Sequence, residues 1–394
     1  MLLVLHPYKF NQHYYYEYEL DLFEKKLSSE FEIHDLSKIV NPNWRKAFSG
    51  KVHKKAKVFN SIKEWKDYYQ ILIKKEDNVT ILNNLDINSI NSIIIHNIIC
   101  KSKLNIIQYR SPSIPIVKRQ NTINLVSAIL KLEFLKLSKL YFFLKTKILA
   151  KISVFIKFEK VFILYSGKKK NFKLLLNSKK NIYTNIHSKD YSKFLINKKI
   201  KKKFYSGKKY AVYLDTPGPY FFSDRSLFAS KINHNIKTWY YDLNRYLSFV
   251  EKKYYLKIII IPHPKARKIL NPYYNKRFKV IRDVEGATKC IPKSQFVINT
   301  GGSTALGYAV ANKKPIVILY NNQIIKNDNW MFLHSKNMSI NLGCSFVNIN
   351  SKFNKNDLKL KINSQKYRSF KDNFLTLKKI SNKMNYDIFN KIIK

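Results

Sequence analysis

Three segments of this sequence place chemically capable side chains directly after apolar runs. In Ala211-Val212-Tyr213-Leu214-Asp215-Thr216-Pro217-Gly218-Pro219 the run ends in a carboxylate and a rigid turn. An Asp at a strand end can take a proton from a hydroxyl nucleophile, or simply open a Pro-Gly turn. In Ile258-Ile259-Ile260-Ile261-Pro262-His263-Pro264-Lys265 four isoleucines deliver an imidazole and an ammonium, with Arg267 close behind. His263 can donate to a phosphate oxygen or assist a leaving group; the other reading is a structural histidine fixed between prolines. Lys265 is a weaker candidate for the same anion. The third segment, Val297-Ile298-Asn299-Thr300-Gly301-Gly302-Ser303-Thr304-Ala305-Leu306-Gly307, passes from an apolar run through a glycine pair into a helix. The chain spends only 9 glycines on 394 residues, so a pair marks backbone that approaches something closely. Ser303 or Thr304 is expected to cap the helix, and its free N–H groups can cradle a phosphate; a capped turn without ligand is the alternative. The spacing is neither that of a P-loop nor that of the dinucleotide fingerprint.

Taken together, a base, a phosphate-facing cation and a phosphate cradle are the equipment for displacing a nucleotide from an activated sugar. A metal–diphosphate site wants an Asp-x-Asp pair at a strand end, and none stands there. The nearest match, Asp283-Val284-Glu285, reads as a solvated loop beside Arg282. No metal and no cofactor are therefore expected. Cys100, Cys290 and Cys344 have neither zinc-type spacing nor an even count, which fits a reduced compartment.

The elements that must position these residues alternate. Strand-like runs at Leu2 to Leu5, Phe31 to His34, Val79 to Leu82 and Ile106 to Tyr109 are separated by helical patterns at Asn11 to Lys26, Ser61 to Ile73 and Ile87 to Ile99. Such spacing means βαβ units and a mostly parallel sheet. Strand signals return at Val161 to Tyr165 and Ile182 to Ile186. A Lys-rich stretch, Asn197 to Lys209, reads as a linker. A second alternating set follows, with strands at Tyr210 to Leu214, Ile258 to Ile261, Phe278 to Ile281, Phe296 to Asn299 and Pro315 to Tyr320, and helices over Thr238 to Lys252 and Thr304 to Asn312. The expected fold is α/β, with two Rossmann-like domains facing a cleft: an acceptor domain over 1–200, a nucleotide-sugar domain over 205–350, and a helical, polar tail over 351–394.

Charge is the compositional outlier, with 74 Lys+Arg against 25 Asp+Glu, a net +49. Nucleic acid, an anionic membrane surface and an anionic substrate all fit, as does codon drift that fills solvated faces with lysine. Nucleic acid is disfavoured by the lack of a recognisable reading motif. Residues 120–160 carry apolar residues at helical spacing with interspersed lysines, which suits either a membrane interface or a helix packed on a sheet. No run of 18 uncharged apolar residues exists, so a spanning helix is not expected.

The order strand–Asp–turn, strand–His-Pro-Lys, Gly-Ser-Thr-Ala-Leu before a helix, then Lys314-Pro315 before a strand resembles bacterial GT-B glycosyltransferases of capsule and lipopolysaccharide synthesis. More narrowly it is similar to the sialyltransferase-, polysialyltransferase- and Kdo-transferase-like enzymes that use CMP-activated donors. The resemblance implies Asp215 as base. It implies donor contacts from His263 and the Gly302-Ser303-Thr304 turn, with Pro264, Lys265, Thr300 and Gly301 beside them. His187 and Asp190 look like part of a recurring pattern at the lobe junction, without an assigned role. The implied activity is metal-independent transfer of a sugar from a CMP donor to a glycan or lipid-linked glycan, at the cytoplasmic face of an inner membrane. A nucleic-acid-binding protein and a two-lobed sugar-nucleotide epimerase are the alternatives.

Overall fold

The computed structural model describes residues 1–27, 30–42, 51–110, 115, 144–145, 148–149, 151–168, 176–199, 208–215, 234–263, 270–283, 285–301, 303–353, 358, 360–381 and 383–393. Seven strands form sheet A: β1 (Leu2–His6), β2 (Phe31–Asp35), β3 (Ala56–Val58), β4 (Thr80–Asn83), β5 (Asn105–Tyr109), β6 (Lys157–Ser166) and β7 (Asn177–Ile186). Their spatial order is β3-β2-β1-β4-β5-β6-β7. Six more form sheet B: β8 (Tyr210–Leu214), β9 (Lys257–Ile261), β10 (Lys279–Val280), β11 (Val297–Asn299), β12 (Ile316–Tyr320) and β13 (Ser345–Asn348), in the order β10-β9-β8-β11-β12-β13. All pairings are parallel. The expected fold, two parallel α/β lobes with helices, is the one observed.

Short apolar runs form these strands because both faces of each sheet are covered. Leu3 and Leu5 point into one core and Leu2 and Val4 into the other. In lobe 2, Val212, Leu214, Ile259 and Ile261 enter one core while Ala211, Tyr213, Ile258 and Ile260 enter its counterpart. Alternation of side chains along each strand divides them this way.

In lobe 1 the helices are α1 (Gln12–Glu17), α2 (Leu20–Leu27), α3 (Ser37–Val40), α4 (Ile62–Lys75) and α5 (Ile90–Lys101). Ser61 Oγ accepts from the Glu64 N–H at 3.1 Å and starts α4, which buries Trp65, Tyr69 and Leu72 on one face. The single helix expected over Asn11 to Lys26 is in fact two. The chain breaks at Tyr18 and Glu19, and Glu19 takes φ +57° while its buried carboxylate accepts from Ser192 Oγ. A contact 173 residues away thus overrides a helical pattern.

The segment expected as linker begins as helix, α6 (Lys189–Lys199), and α6 is tied to both lobes. Lys189 Nζ pairs with Glu17 at 2.8 Å, and Asn197 Nδ2 donates to Tyr308 Oη at 2.9 Å. Lobe 2 adds α7 (Ile236–Tyr254), α8 (Gly286–Cys290), α9 (Leu306–Ala311), α10 (Asn322–Asn327), α11 (Asn329–Leu342) and α12 (Ser364–Phe370). The tail ends in α13 (Asn385–Ile393) and is less polar in its packing than its sequence suggests. Phe370, Phe374 and Leu375 lie in a lobe 2 core, then Ile380, Ile388 and Phe389 in a lobe 1 core. Residues 120–143 of the basic amphipathic stretch, and 200–203 of the lysine run, lie outside the described residues. The end of that stretch is strand rather than helix, since β6 starts at Lys157.

Candidate active site

The three strand ends singled out in sequence belong to three adjacent strands, in the order β9-β8-β11. Leu214 is in register with Ile261 on one side and with Asn299 on the other. Because the strands are parallel, Asp215, Pro262-His263 and Thr300-Gly301 all leave the same edge of sheet B. The Asp215 N–H donates to Ile261 O at 3.0 Å, which extends the β8–β9 ladder to the acid itself. Asn299 Nδ2 donates to Leu214 O at 2.8 Å and ties β11 to β8 at the same level.

Asp215 is not solvated like an ordinary turn carboxylate. Tyr274 Oη donates to its Oδ2, and Tyr213 Oη to its Oδ1 at 3.3 Å. Burial pushes its pKa up to about 7, against the pull of the two tyrosine hydrogen bonds. Both phenols are in turn pushed well above their ordinary range, chiefly by burial and then by the charge of Asp215. Neither tyrosine was singled out in sequence. Tyr213 had a signal: it lies two residues before Asp215, hence on the same face of the strand.

His263 is half-buried at the end of β9, and Pro262 before it is buried. Pro264, Lys265, Gly302 and the Thr216 to Pro219 turn lie outside the described residues.

Helix α9 begins at Leu306, and its capping position is Ala305, with no side-chain cap. The expected capping by Ser303 or Thr304 is therefore replaced. The Ser303 and Thr304 carbonyls accept from the N–H groups of Leu306 (3.2 Å) and Gly307 (2.8 Å), closing a tight backbone turn. Among the described residues, no acceptor is seated on the N–H groups of Ser303, Thr304 or Ala305. Gly301 is held by Asn299 Oδ1, which accepts its N–H at 2.8 Å, and takes φ +88°. A Cβ there would collide with Ser335 of α11, whose Oγ donates to Thr300 O at 3.3 Å. Glycine is thus required twice over, by torsion and by contact.

His187 follows β7, fully buried. Its Nδ1 is 2.7 Å from Thr376 Oγ1 and its Nε2 donates to Lys383 O at 2.8 Å. Its own N–H donates to Asn385 Oδ1 at 2.8 Å. Every polar group of this histidine therefore binds the C-terminal tail. Asp190 lies in the first turn of α6, where its Cβ comes 3.6 Å from the position a Cβ on Gly307 would take. Burial raises its pKa to about 6, with Lys193 pulling it down and Glu17 pushing it up.

On the lobe 1 edge, sequence reasoning passed over His6. It ends β1 and is followed by Pro7, the same His-Pro pair as His263-Pro264. Its Nδ1 lies 2.9 Å from Tyr8 O and 3.3 Å from Tyr8 N. Rings of Tyr8, Phe10, Tyr14 and Tyr18 surround it. Burial drives its pKa down to about 4, so the imidazole is neutral near pH 7. The charges of Glu17 and Lys189 act on it, which places it beside the α6 junction. A cavity of about 560 Å³ lined by Met1, Glu30, Phe31 and Lys55 opens at the opposite edge of sheet A, and none of the strand-end candidates lines it.

Among the described residues no group of three His, Cys, Asp or Glu side chains is placed to hold a metal ion. No family model matches the chain, and no curated protein matches it. Solved structures do. The wall teichoic acid polymerase TagF superimposes with a TM-score of 0.52 at 12% identity, over 100% of this chain and 89% of that one. The glycosyltransferase SnogD from Streptomyces nogalater gives 0.47 at 10% identity, over 100% and 98%. The spinosyn forosaminyltransferase SpnP gives 0.44 at 10%, over 100% and 94%. With its two parallel sheets and the TagF superposition, this chain has the GT-B fold.

Proposed function

We propose that this protein is a glycosyltransferase that moves a sugar from a nucleotide donor to a surface-glycan or lipid-linked acceptor. One observation carries the reading: Asp215, His263 and the Thr300-Gly301 turn leave neighbouring strands on one edge of sheet B. Lobe 2 takes the donor. The N–H groups of Ser303, Thr304 and Ala305, with His263, hold its phosphates and stabilise the charge that builds as the nucleotide departs. Asp215, poised near neutrality, removes the acceptor hydroxyl proton. Lobe 1 presents the acceptor. Cations and backbone dipoles neutralise the phosphate without a metal. The preferred donor is a CMP-linked nonulosonic acid or Kdo, on the resemblance of the strand-end motifs. The TagF likeness adds support at the level of its name, a polymerase of a wall polymer. The protein works in the cytoplasm against the inner membrane, whose anionic surface meets its positive charge. Among the described residues no helix is long and apolar enough to cross that membrane.

A second base is favoured by one observation. His6 ends β1 on lobe 1, enclosed by the rings of Tyr8, Phe10, Tyr14 and Tyr18 and kept neutral near pH 7 by burial. In that reading His6 takes the proton and Asp215 orients the donor.

A thermal-shift screen against CMP-, UDP-, GDP- and dTDP-compounds tests the donor class. A ligand at about 100 times its dissociation constant stabilises the fold by ~2.7 kcal/mol. A shift with the CMP compounds is expected; no shift with any nucleotide would overturn the reading.

A further inference from the structure

The described residues 144–145, 148–149 and 151–153 are helical and lead into β6. Leu149 and Ile156 are buried, and Ile156 lies in the core under sheet A. These two side chains anchor the segment. The rest of its apolar surface points away: Leu144, Ile148 and Ile152 recur every four residues and are all exposed. Val154 and Phe155 at the tip are 60% and 88% exposed. A phenylalanine so bare, at the end of a short segment that exposes four more aliphatic residues, marks an interaction surface rather than a scattered surface residue. The tip is not loose, since Asn177 Nδ2 of β7 donates to Val154 O at 2.9 Å.

The surroundings of the tip are cationic. Lys151 and Lys157 are exposed on either side of it. Lys103, Lys157 and Lys179 gather around Glu159, and Lys179 pairs with it at 2.7 Å. One carboxylate stands against four lysines, in a chain of net charge +49. An apolar tip inside a rim of lysines is complementary to an anionic bilayer, where rings and aliphatic chains enter the acyl boundary and ammonium groups meet phosphates. We propose that Leu144, Ile148, Ile152, Val154 and Phe155 dock lobe 1 onto an anionic lipid surface. This deepens the membrane partner named in the proposed function and rests on that reading. It places the contact at the edge where β6 begins, opposite the strand-end edge that carries His6.

The test uses the full chain and vesicles of phosphatidylglycerol with phosphatidylethanolamine, against pure phosphatidylcholine. Net charge alone gives binding that disappears in 0.5 M salt, so the decisive comparison is made there. The triple variant Ile148→Ser, Ile152→Ser, Phe155→Ser is expected to sediment with anionic vesicles at least tenfold less than the wild type, with an unchanged melting temperature. A Phe155→Trp variant is expected to gain fluorescence that shallow brominated lipids quench. Equal sedimentation of wild type and triple variant, or no quenching of the new tryptophan, would overturn the proposal. So would a wild-type dimer in size exclusion that the triple variant loses, because a second copy would then cover the patch. Vesicle binding involves no transfer chemistry. A failure here leaves the nucleotide shift untouched, and a failed nucleotide screen leaves this result standing.

Discussion

The Tyr274 hydroxyl donates a hydrogen bond to Asp215 Oδ2 across 59 residues of chain. With Tyr213 on the other oxygen, the carboxylate is fixed in direction, while burial raises its pKa. Fixed orientation and a pKa near neutrality are what a general base needs, and here one pair of phenols and one buried strand end supply both.

Asp215→Asn is therefore expected to cut turnover by about 10²–10⁴, with donor affinity little changed. Stability gives a second readout. A carboxyl whose folded pKa of about 7 lies above its unfolded value of roughly 4 binds its proton more tightly in the fold. Wild-type stability should fall as pH rises between those values, and the Asn variant should lack that component in a melting series from pH 4 to 8.

A pH–rate profile separates the two candidate bases. If Asp215 takes the proton, kcat rises through about pH 7 and Asp215→Asn abolishes the rise. If His6 takes it, the rise falls near pH 4, the rate is level across neutrality, and His6→Gln is the variant that loses it. The first outcome is expected.

Gly301→Ala should damage the proposed phosphate cradle from within. Its φ of +88° costs an alanine roughly 1–2 kcal/mol, before the collision with Ser335. A lower melting temperature and at least tenfold weaker donor binding by calorimetry are expected. Adding Ser335→Gly removes the collision but not the torsional cost, so it should restore only part of the stability.

Runs such as Leu2 to Leu5 and Ile258 to Ile261 were legible because a strand covered on both faces needs only continuous apolar character. Parallel strands followed from βαβ spacing, but the order β9-β8-β11, which sets Asp215, His263 and Thr300 at neighbouring strand ends, is not written in that spacing. Helix α11 was not legible. It packs through small polar residues, Ser335 and Ser339, so no apolar stripe announces it. The break at Glu19 contains neither glycine nor proline, and its cause lies in Ser192. His6 was passed over because the apolar run stops at Leu5, whereas β1 extends one residue further.

His187→Ala should act on stability rather than chemistry. Its ring binds Thr376 and Lys383, and losing buried partners costs about 1–3 kcal/mol. A lower melting temperature and faster proteolysis of residues 376–393 are expected, with donor KM within twofold of wild type. A large change in KM at unchanged stability would instead make His187 part of the site.

The crossing of the tail from one lobe to the other constrains how the protein is made. Ile380, Ile388 and Phe389 complete the core that Leu2, Val4 and Phe10 begin. A ribosome that has translated all of sheet A has thus released a half-finished lobe, whose apolar underside stays uncovered until residues 380–389 have been made. Synthesis of the second lobe is, for the first, a waiting period in which chaperones or self-association compete for that surface.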